Sequence, residues 1–296
     1  MPRLPQRIAS ALCAVLVTSL VLTGCGRFGD RAERDGQTRR IVSVSKQINE
    51  FLYAIGAEDD LVAVDLTSVY PPEIKTLPTV GYHRALSAEG IISMKPTLFL
   101  TDGNVGPEAV LDQLRKVGIP MEVMRPGKTL DSAQTLLTRL GEYFHRERAA
   151  DSVLAQWKRG MSEVWADTAR WSGQRHPRVL IIHFGQIINN YLAVNRGSPA
   201  DQMIRWAGGE NAIDSVGGMT RLSPELIARA APDVIIATDV GFDRFGDAEK
   251  FSTLPGVALT PAGKSGHIYR IDEQEIIYFG PRTPAAVRKI SEMIHR

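Results

Sequence analysis

The sequence predicts an α/β protein of two Rossmann-like lobes joined by a long backbone helix, and three observations carry that expectation. A helix-strand unit occurs twice. Leu86-Ser87-Ala88-Glu89 leads through an apolar turn to Pro96 and the run Leu98-Phe99-Leu100, and Leu222-Ser223-Pro224-Glu225 leads in the same way to Pro232 and Val234-Ile235-Ile236. A β-branched run, an amphipathic helix and a second short apolar run follow one another between Ile41 and Val64, the order that builds a parallel sheet. Between Leu130 and Trp171 little interrupts a helix except Gly141 and Gly160, and a helix of about 25 residues would run roughly 38 Å, enough to bridge two lobes.

Taken in order, Ile41 to Val44 reads as the first strand, with Ser45 placed to cap a helix whose apolar positions Ile48, Phe51, Leu52 and Ile55 recur at helical spacing. Leu61 to Val64 is the second strand. A Pro-rich loop from Thr67 to Thr79 then delivers Gly81-Tyr82 to a surface, followed by a helix from Ser87 and a strand from Thr97 to Leu100. Pro107 opens the next helix and Gly118 closes it before a fourth strand, Met121 to Met124. Trp157 and Trp165 in the linking region are expected to be core rather than functional. The second lobe restarts after Pro177 with the buried strand Val179 to Ile182, for which Tyr191 to Val194 is a candidate partner. Met203 to Glu210 echoes Phe51 to Glu58, a second sign of duplication. Helix Ser223 to Ala230, strands Val234 to Ala237 and Ile268 to Ile271, and a closing helix from Pro284 to Ile294 complete the chain.

The N-terminus sets the compartment. Arg3 and Arg7 precede a short apolar run from Ile8 to Leu22 that ends in Leu22-Thr23-Gly24-Cys25, the pattern of a signal peptide rather than a membrane span. The ending resembles the bacterial lipobox, which implies a mature protein beginning at Cys25, anchored to a membrane face by acyl chains worth about 0.8 kcal/mol per buried CH2. Residues 26–40 are rich in charge and almost without apolar side chains, as a tether would be. The expected organisation is therefore a signal peptide over 1–24, a tether over 25–40, a first lobe over 41–129, a linking helical region over 130–173 and a second lobe over 174–296. With the signal removed, Cys25 is the one cysteine left, so neither a disulfide framework nor a thiolate metal site is expected.

At 296 residues, 44% hydrophobic and 23% charged, the chain can bury two cores, and a formal net charge of +2 with scattered Lys and Arg gives no footing for nucleic acid. No Gly-x-Ser-x-Gly elbow or His-Glu-x-x-His is present. Gly127-Lys128-Thr129 and Gly263-Lys264-Ser265 look like ends of phosphate-binding loops, yet the glycine needed five positions earlier is Glu122 in one and Ala258 in the other, so both read as turns. No enzymatic activity is expected. Of six histidines only His83 and His183 fall near loops a cleft would use. Tyr82 fits a different chemistry. A phenolate is a hard oxygen donor and a recognised axial ligand of haem iron. Arg84, two residues on, is placed to favour the anion if the loop is extended. The competing reading of Tyr82 is a packing residue of the loop.

The run Gly81-Tyr82-His83-Arg84-Ala85-Leu86-Ser87-Ala88-Glu89-Gly90 resembles the haem-binding members of the bacterial substrate-binding proteins that feed ABC importers. Tyr53 to Ala57 with Val64-Asp65, Ala207 to Asn211, and Phe279 to Pro284 add to the resemblance, which covers the chain from about Ile41 onward. It implies Tyr82 as the axial ligand of haem b carried as cargo, with Arg84 beside it. Some members add a histidine from the second lobe, for which His183 is the candidate against a plain strand-end residue, with His83 as rival. The resemblance also implies that Glu89 and Glu225 meet arginines of a permease dimer; as first-turn acids they would stabilise their own helices in either case. The expected protein is a monomeric, membrane-anchored, periplasmic or extracytoplasmic lipoprotein. A corrinoid or ferric siderophore on the same fold, or an exported enzyme, are the alternatives.

Overall fold

The structure is a computed structural model that describes residues 39–184 and 191–296. The signal peptide, Cys25 and nearly all of the expected tether lie outside the described residues. Its last two residues are bound to the body: the Arg40 guanidinium donates to the Met94 carbonyl at 2.7 Å, and Arg39 lies over the Phe144 ring at 4.6 Å.

The first lobe is built from β1 (Ile41–Val44), α1 (Lys46–Ala54), β2 (Leu61–Val64), α2 (Ala88–Ser93), β3 (Leu98–Thr101), α3 (Glu108–Lys116) and β4 (Met121–Val123). Its four strands are parallel in the order β2-β1-β3-β4. Two antiparallel neighbours follow, α4 (Leu130–Tyr143) and α5 (Glu147–Thr168). The second lobe comprises β5 (Arg178–Phe184), β6 (Tyr191–Val194), α6 (Pro199–Trp206), β7 (Glu210–Asn211), β8 (Met219–Arg221), α7 (Pro224–Ala230), β9 (Val234–Thr238), α8 (Asp239–Phe245), α9 (Ala248–Ser252), α10 (Pro261–Ser265), β10 (Ile268–Ile271), α11 (Glu273–Ile276) and α12 (Thr283–Ile294). Here β7 pairs in parallel with one end of β5, and β9 and β10 extend the sheet from its other edge. The order β7-β5-β9-β10 thus repeats β2-β1-β3-β4, which is the duplication seen in the two Leu-Ser-x-Glu units. The β6-β8 antiparallel pair is an addition to the second lobe, placed along β5 at Ile182 to Phe184.

Period two along the strands explains how the layers form. Val42, Val44 and Phe99 point into an outer core with α2 and α3, while Ile41, Leu98 and Leu100 point to the other face. In the second lobe Leu180, Ile182 and Ile235 serve an outer core, and Val179, Ile181, Val234 and Ile236 the opposite face. The two inner faces are not separate: one apolar core runs from α1 and α4 through Trp157, Met161 and Val164 of α5 to α6 and α12. The linking region is a helical hairpin, in which α5 is the expected long backbone helix. α5 spans 22 residues, roughly 33 Å, and packs on α4 and α1 of one lobe and α12 and α6 of the other. Trp157 is buried in this core, and Trp165 stands half in solvent beside Trp206, with ring centroids 6.5 Å apart.

Candidate functional site

The carboxyl ends of the parallel strands carry the candidate site. On the first lobe, Ser45 and Lys46 follow β1, Asp65 to Ser68 follow β2, and Asp102 to Gly106 follow β3. Residues 78–81 run alongside the end of β2, through Val80 N–H to the Val64 carbonyl and Leu66 N–H to the Gly81 carbonyl, both at 2.9 Å. Gly81 takes φ +95°, a conformation that glycine adopts without strain, and turns the chain so that Tyr82 leaves the sheet edge. A turn closes by Ala85 N–H to the Tyr82 carbonyl at 2.8 Å, and Gly106 N–H to the His83 carbonyl at 2.9 Å locks it to the loop after β3.

Within that turn Tyr82 is half-buried, its ring 4.3 Å from that of His83. Behind them lies Asp65, buried and satisfied by Thr67 and Ser68, with its Oδ2 3.8 Å from His83 Nδ1. Burial lowers the His83 pKa, against the pull of Asp65 and Asp102 and with the push of Lys46 and Arg84. The expected approach of Arg84 to the phenol rested on an extended loop. The segment is a turn, in which residues two apart need not share a side, and the exposed guanidinium donates instead to Asn104 Oδ1 at 2.9 Å.

His183 lies on β5, opposite Leu192, on the same strand face as Val179 and Ile181. Burial lowers its pKa, opposed by the charge of Glu273 and assisted by that of Lys46. Glu273 is the hinge of this arrangement. It opens α11 after β10 and accepts from Lys46 Nζ at 2.7 Å across the lobes. Three further hydrogen bonds cross nearby: Gln47 Nε2 to the Phe279 carbonyl at 2.9 Å, Gln274 Nε2 to the Thr67 carbonyl at 2.5 Å, and Gln202 Nε2 to the Lys128 carbonyl at 3.0 Å.

Between the lobes lies a cavity of about 520 Å³, with Asn104 and Asp102 on one side, His183 and Thr238 on the other, and apolar wall from Val194, Ile276 and Phe279 among others. Tyr82 does not line it; the turn meets the wall through the Arg84 to Asn104 hydrogen bond. Leu66 and Val69 on one lobe, and Val216 and the first residue of β8, Met219, on the other, are large apolar side chains left exposed. Among the described residues no three His, Cys, Asp or Glu are grouped so as to hold a metal ion. Glu89 and Glu225 occupy equivalent places, each the second residue of a short helix, α2 or α7, whose cap is Ser87 or Ser223. Both are exposed, and a hydrogen bond with Ser223 holds the Glu225 carboxyl below its ordinary value.

Sequence reasoning missed Lys46, Glu273 and the buried set Glu50, Tyr278 and Arg282. Arg282 lies in a stretch that the sequence marks only as Phe279 to Pro284, and its partner is 232 residues away.

A family model described as periplasmic binding protein matches residues 41–275. The chain belongs to that family. The periplasmic heme-binding protein RhuT from Roseiflexus sp. RS-1, in apo form, superposes on this binding protein with a TM-score of 0.80 at 32% identity, over 88% of this chain and 98% of its own. The Vitamin B12-binding protein of Pectobacterium atrosepticum is 28% identical over 200 residues, 67% of this chain and 71% of its own. The uncharacterized ABC transporter substrate-binding lipoprotein YvrC of Bacillus subtilis is 22% identical over 98% of both chains. The periplasmic binding protein described here is thus a substrate-binding protein of the kind that serves ABC importers.

Proposed function

We propose that the protein binds haem b in the cleft between its lobes, with Tyr82 on the iron, and passes it to the permease dimer of an ABC importer. The observation that carries the reading is the Tyr82 turn: a half-buried phenol on a loop pinned by backbone hydrogen bonds at the carboxyl ends of the first sheet, beside a largely apolar cavity. Apolar walls suit the faces of a porphyrin, and a tyrosine oxygen suits ferric iron. The similarity to a protein named for haem binding supports it. Arg84 then acts on the loop through Asn104, and His183, on the facing lobe and favoured neutral by burial, is the candidate for a second ligand.

The docking reading rests on symmetry. Glu89 and Glu225 are equivalent acids on equivalent helices, a suitable pair for two arginines of a two-fold permease. Anchoring through Cys25 is supported by the lipobox-like Leu22-Thr23-Gly24-Cys25 and by the lipoprotein among the relatives. The protein acts as a monomer that carries a ligand and turns nothing over.

One observation favours a second reading, a corrinoid ligand: the relative named for vitamin B12 is nearly as similar in sequence as the haem-binding one. Titration with hemin and with cyanocobalamin separates the two. The haem reading expects a saturable Soret band that shifts and weakens in Tyr82→Phe; an identical band and affinity in that variant would sink the assignment to Tyr82. Saturable binding of cyanocobalamin in place of hemin would move the function to the corrinoid.

A further inference from the structure

Arg125 and Lys128 sit on the turn that leaves β4, and both line the cavity between the lobes. Neither head group has a hydrogen bond or ion pair among the described residues, whereas the acids on the same wall are already engaged. Asp102 accepts from Ser45 Oγ and from Asn104 N–H, each at 2.8 Å, and Glu273 accepts from Lys46. The cavity therefore presents two cations without a protein partner, while both of its acids already accept hydrogen bonds from the protein, Glu273 from a cation and Asp102 from neutral donors.

Local structure holds this end in place. The Arg125 side chain passes over Gly103, where a Cβ would lie 3.2 Å from Arg125 Nε; Gly103 takes φ +88°, so glycine serves both the backbone and the close approach. The Lys128 carbonyl accepts from Gln202 of α6, which ties the turn to the opposite lobe. Both cations are exposed and stay hydrated without a partner, so an arriving anion displaces water rather than a protein carboxylate. A guanidinium fork matches a carboxylate in two parallel hydrogen bonds, and an ammonium adds a point charge alongside.

We infer that Arg125 and Lys128 form an anion-accepting end of the cavity that takes the carboxylates of a macrocyclic ligand and selects them over neutral substituents. The macrocycle rests on the haem reading above; the preference for carboxylates rests on the two cations alone. A haem with two free propionates satisfies this end of the cavity, whereas a corrin ring with amide side chains leaves it unanswered.

The test compares hemin with hemin dimethyl ester, which keeps the ring and iron and removes the charge, on the full chain and on its R125Q/K128Q variant. Loss of one charge-assisted contact corresponds to about tenfold in affinity, roughly 1.4 kcal/mol. The wild-type protein should bind the ester at least about tenfold more weakly than hemin. The variant should bind both as weakly as the wild type binds the ester. Equal affinity of the wild type for hemin and ester, or an equal loss of both in the variant, overturns the inference while leaving haem binding intact. If the wild type binds neither, the haem reading falls, and the same comparison is made with dicyanocobyrinic acid against its heptamethyl ester: preference for the acid that disappears in R125Q/K128Q supports the anion-accepting end, and anything else overturns it.

Discussion

Glu50 ties α1 to the chain just before α12. Its carboxylate is buried in α1 and receives Arg282 Nε at 3.0 Å, Arg282 Nη2 at 2.7 Å and the Tyr278 hydroxyl at 2.7 Å, while Arg282 also lies 3.5 Å over the Tyr70 ring. Burial works against the Arg282 charge, and the Glu50 carboxylate more than offsets it, holding the guanidinium above its ordinary value. Removing one member of such a pair leaves the other charge without an answer in a poorly hydrated place. Glu50→Ala should therefore cost about 3–5 kcal/mol of stability, read as a lower urea midpoint with an unchanged denaturant slope. A loss below about 1 kcal/mol would mean that Arg282 finds water or another acceptor at little cost. In the sequence Glu50 is one acid in an amphipathic helix. Local patterning does not reveal a partner in the last turn before α12, so this set was invisible. The Tyr82 run stands out in the sequence because its pattern is local: a Gly-Tyr-x-Arg run directly before a Ser-capped helix.

At the scale of elements, the strands and most helices follow from period and caps, and the linking region shows where that information stops. The sequence offers an almost unbroken helical pattern from Leu130 to Trp171, and the chain nevertheless turns back after Tyr143. The stop is made by His145 at φ +54°, with Arg146 N–H on the Gly141 carbonyl at 2.7 Å and His145 N–H on the Glu142 carbonyl at 3.3 Å, a helix terminator normally signalled by glycine. Gly141 and Gly160, which look like weak points, are instead contact points. A Cβ on Gly141 would lie 2.6 Å from that of Ala150 at the start of α5, and one on Gly160 would lie 2.9 Å from the Pro284 ring of α12. Helix propensity alone predicts that Gly141→Ala gains about 1 kcal/mol. Overpacking predicts the reverse, a loss of about 1–3 kcal/mol. The contact should prevail, because the obstacle is a β-carbon on a neighbouring helix that no rotamer change can move. Thermal unfolding of Gly141→Ala decides between them, and a raised midpoint would show that the hairpin opens readily. The strand β6 was legible as the candidate partner of β5, whereas β8 and the short helices α8 to α11 had no comparable signal: each is too brief for its periodicity to register.

For the molecule as a whole, the continuous core through α5 joins the lobes, and polar bridges cross between them as well. Opening the cleft widely would expose Trp157, Met161 and Val164 to water, whereas parting the Lys46 to Glu273 bridge costs one charge-assisted hydrogen bond, about 1.5–3 kcal/mol. Movement is therefore expected at the bridges rather than along the backbone helix. The ionisation of Glu273 makes this testable. Burial pushes its carboxyl upward, but the Lys46 charge and hydrogen bond, aided by His183 and His83, bring the net value below the ordinary one. A carboxyl depressed in the folded state contributes stability in full above its unfolded pKa of about 4.3, and that contribution is lost as pH falls through the folded value. The wild-type protein should thus lose stability below about pH 4.3 relative to Glu273→Gln, which lacks the titrating group. In Lys46→Met the two largest opposing influences are gone and burial dominates, so the Glu273 carboxyl rises. Its contribution should then change sign, falling as pH increases from about 4.3 upward. Urea midpoints of Lys46→Met and Lys46→Met/Glu273→Gln across that range measure the difference directly. The same dependence on pH with and without Lys46 would show that the bridge does not hold Glu273 in solution.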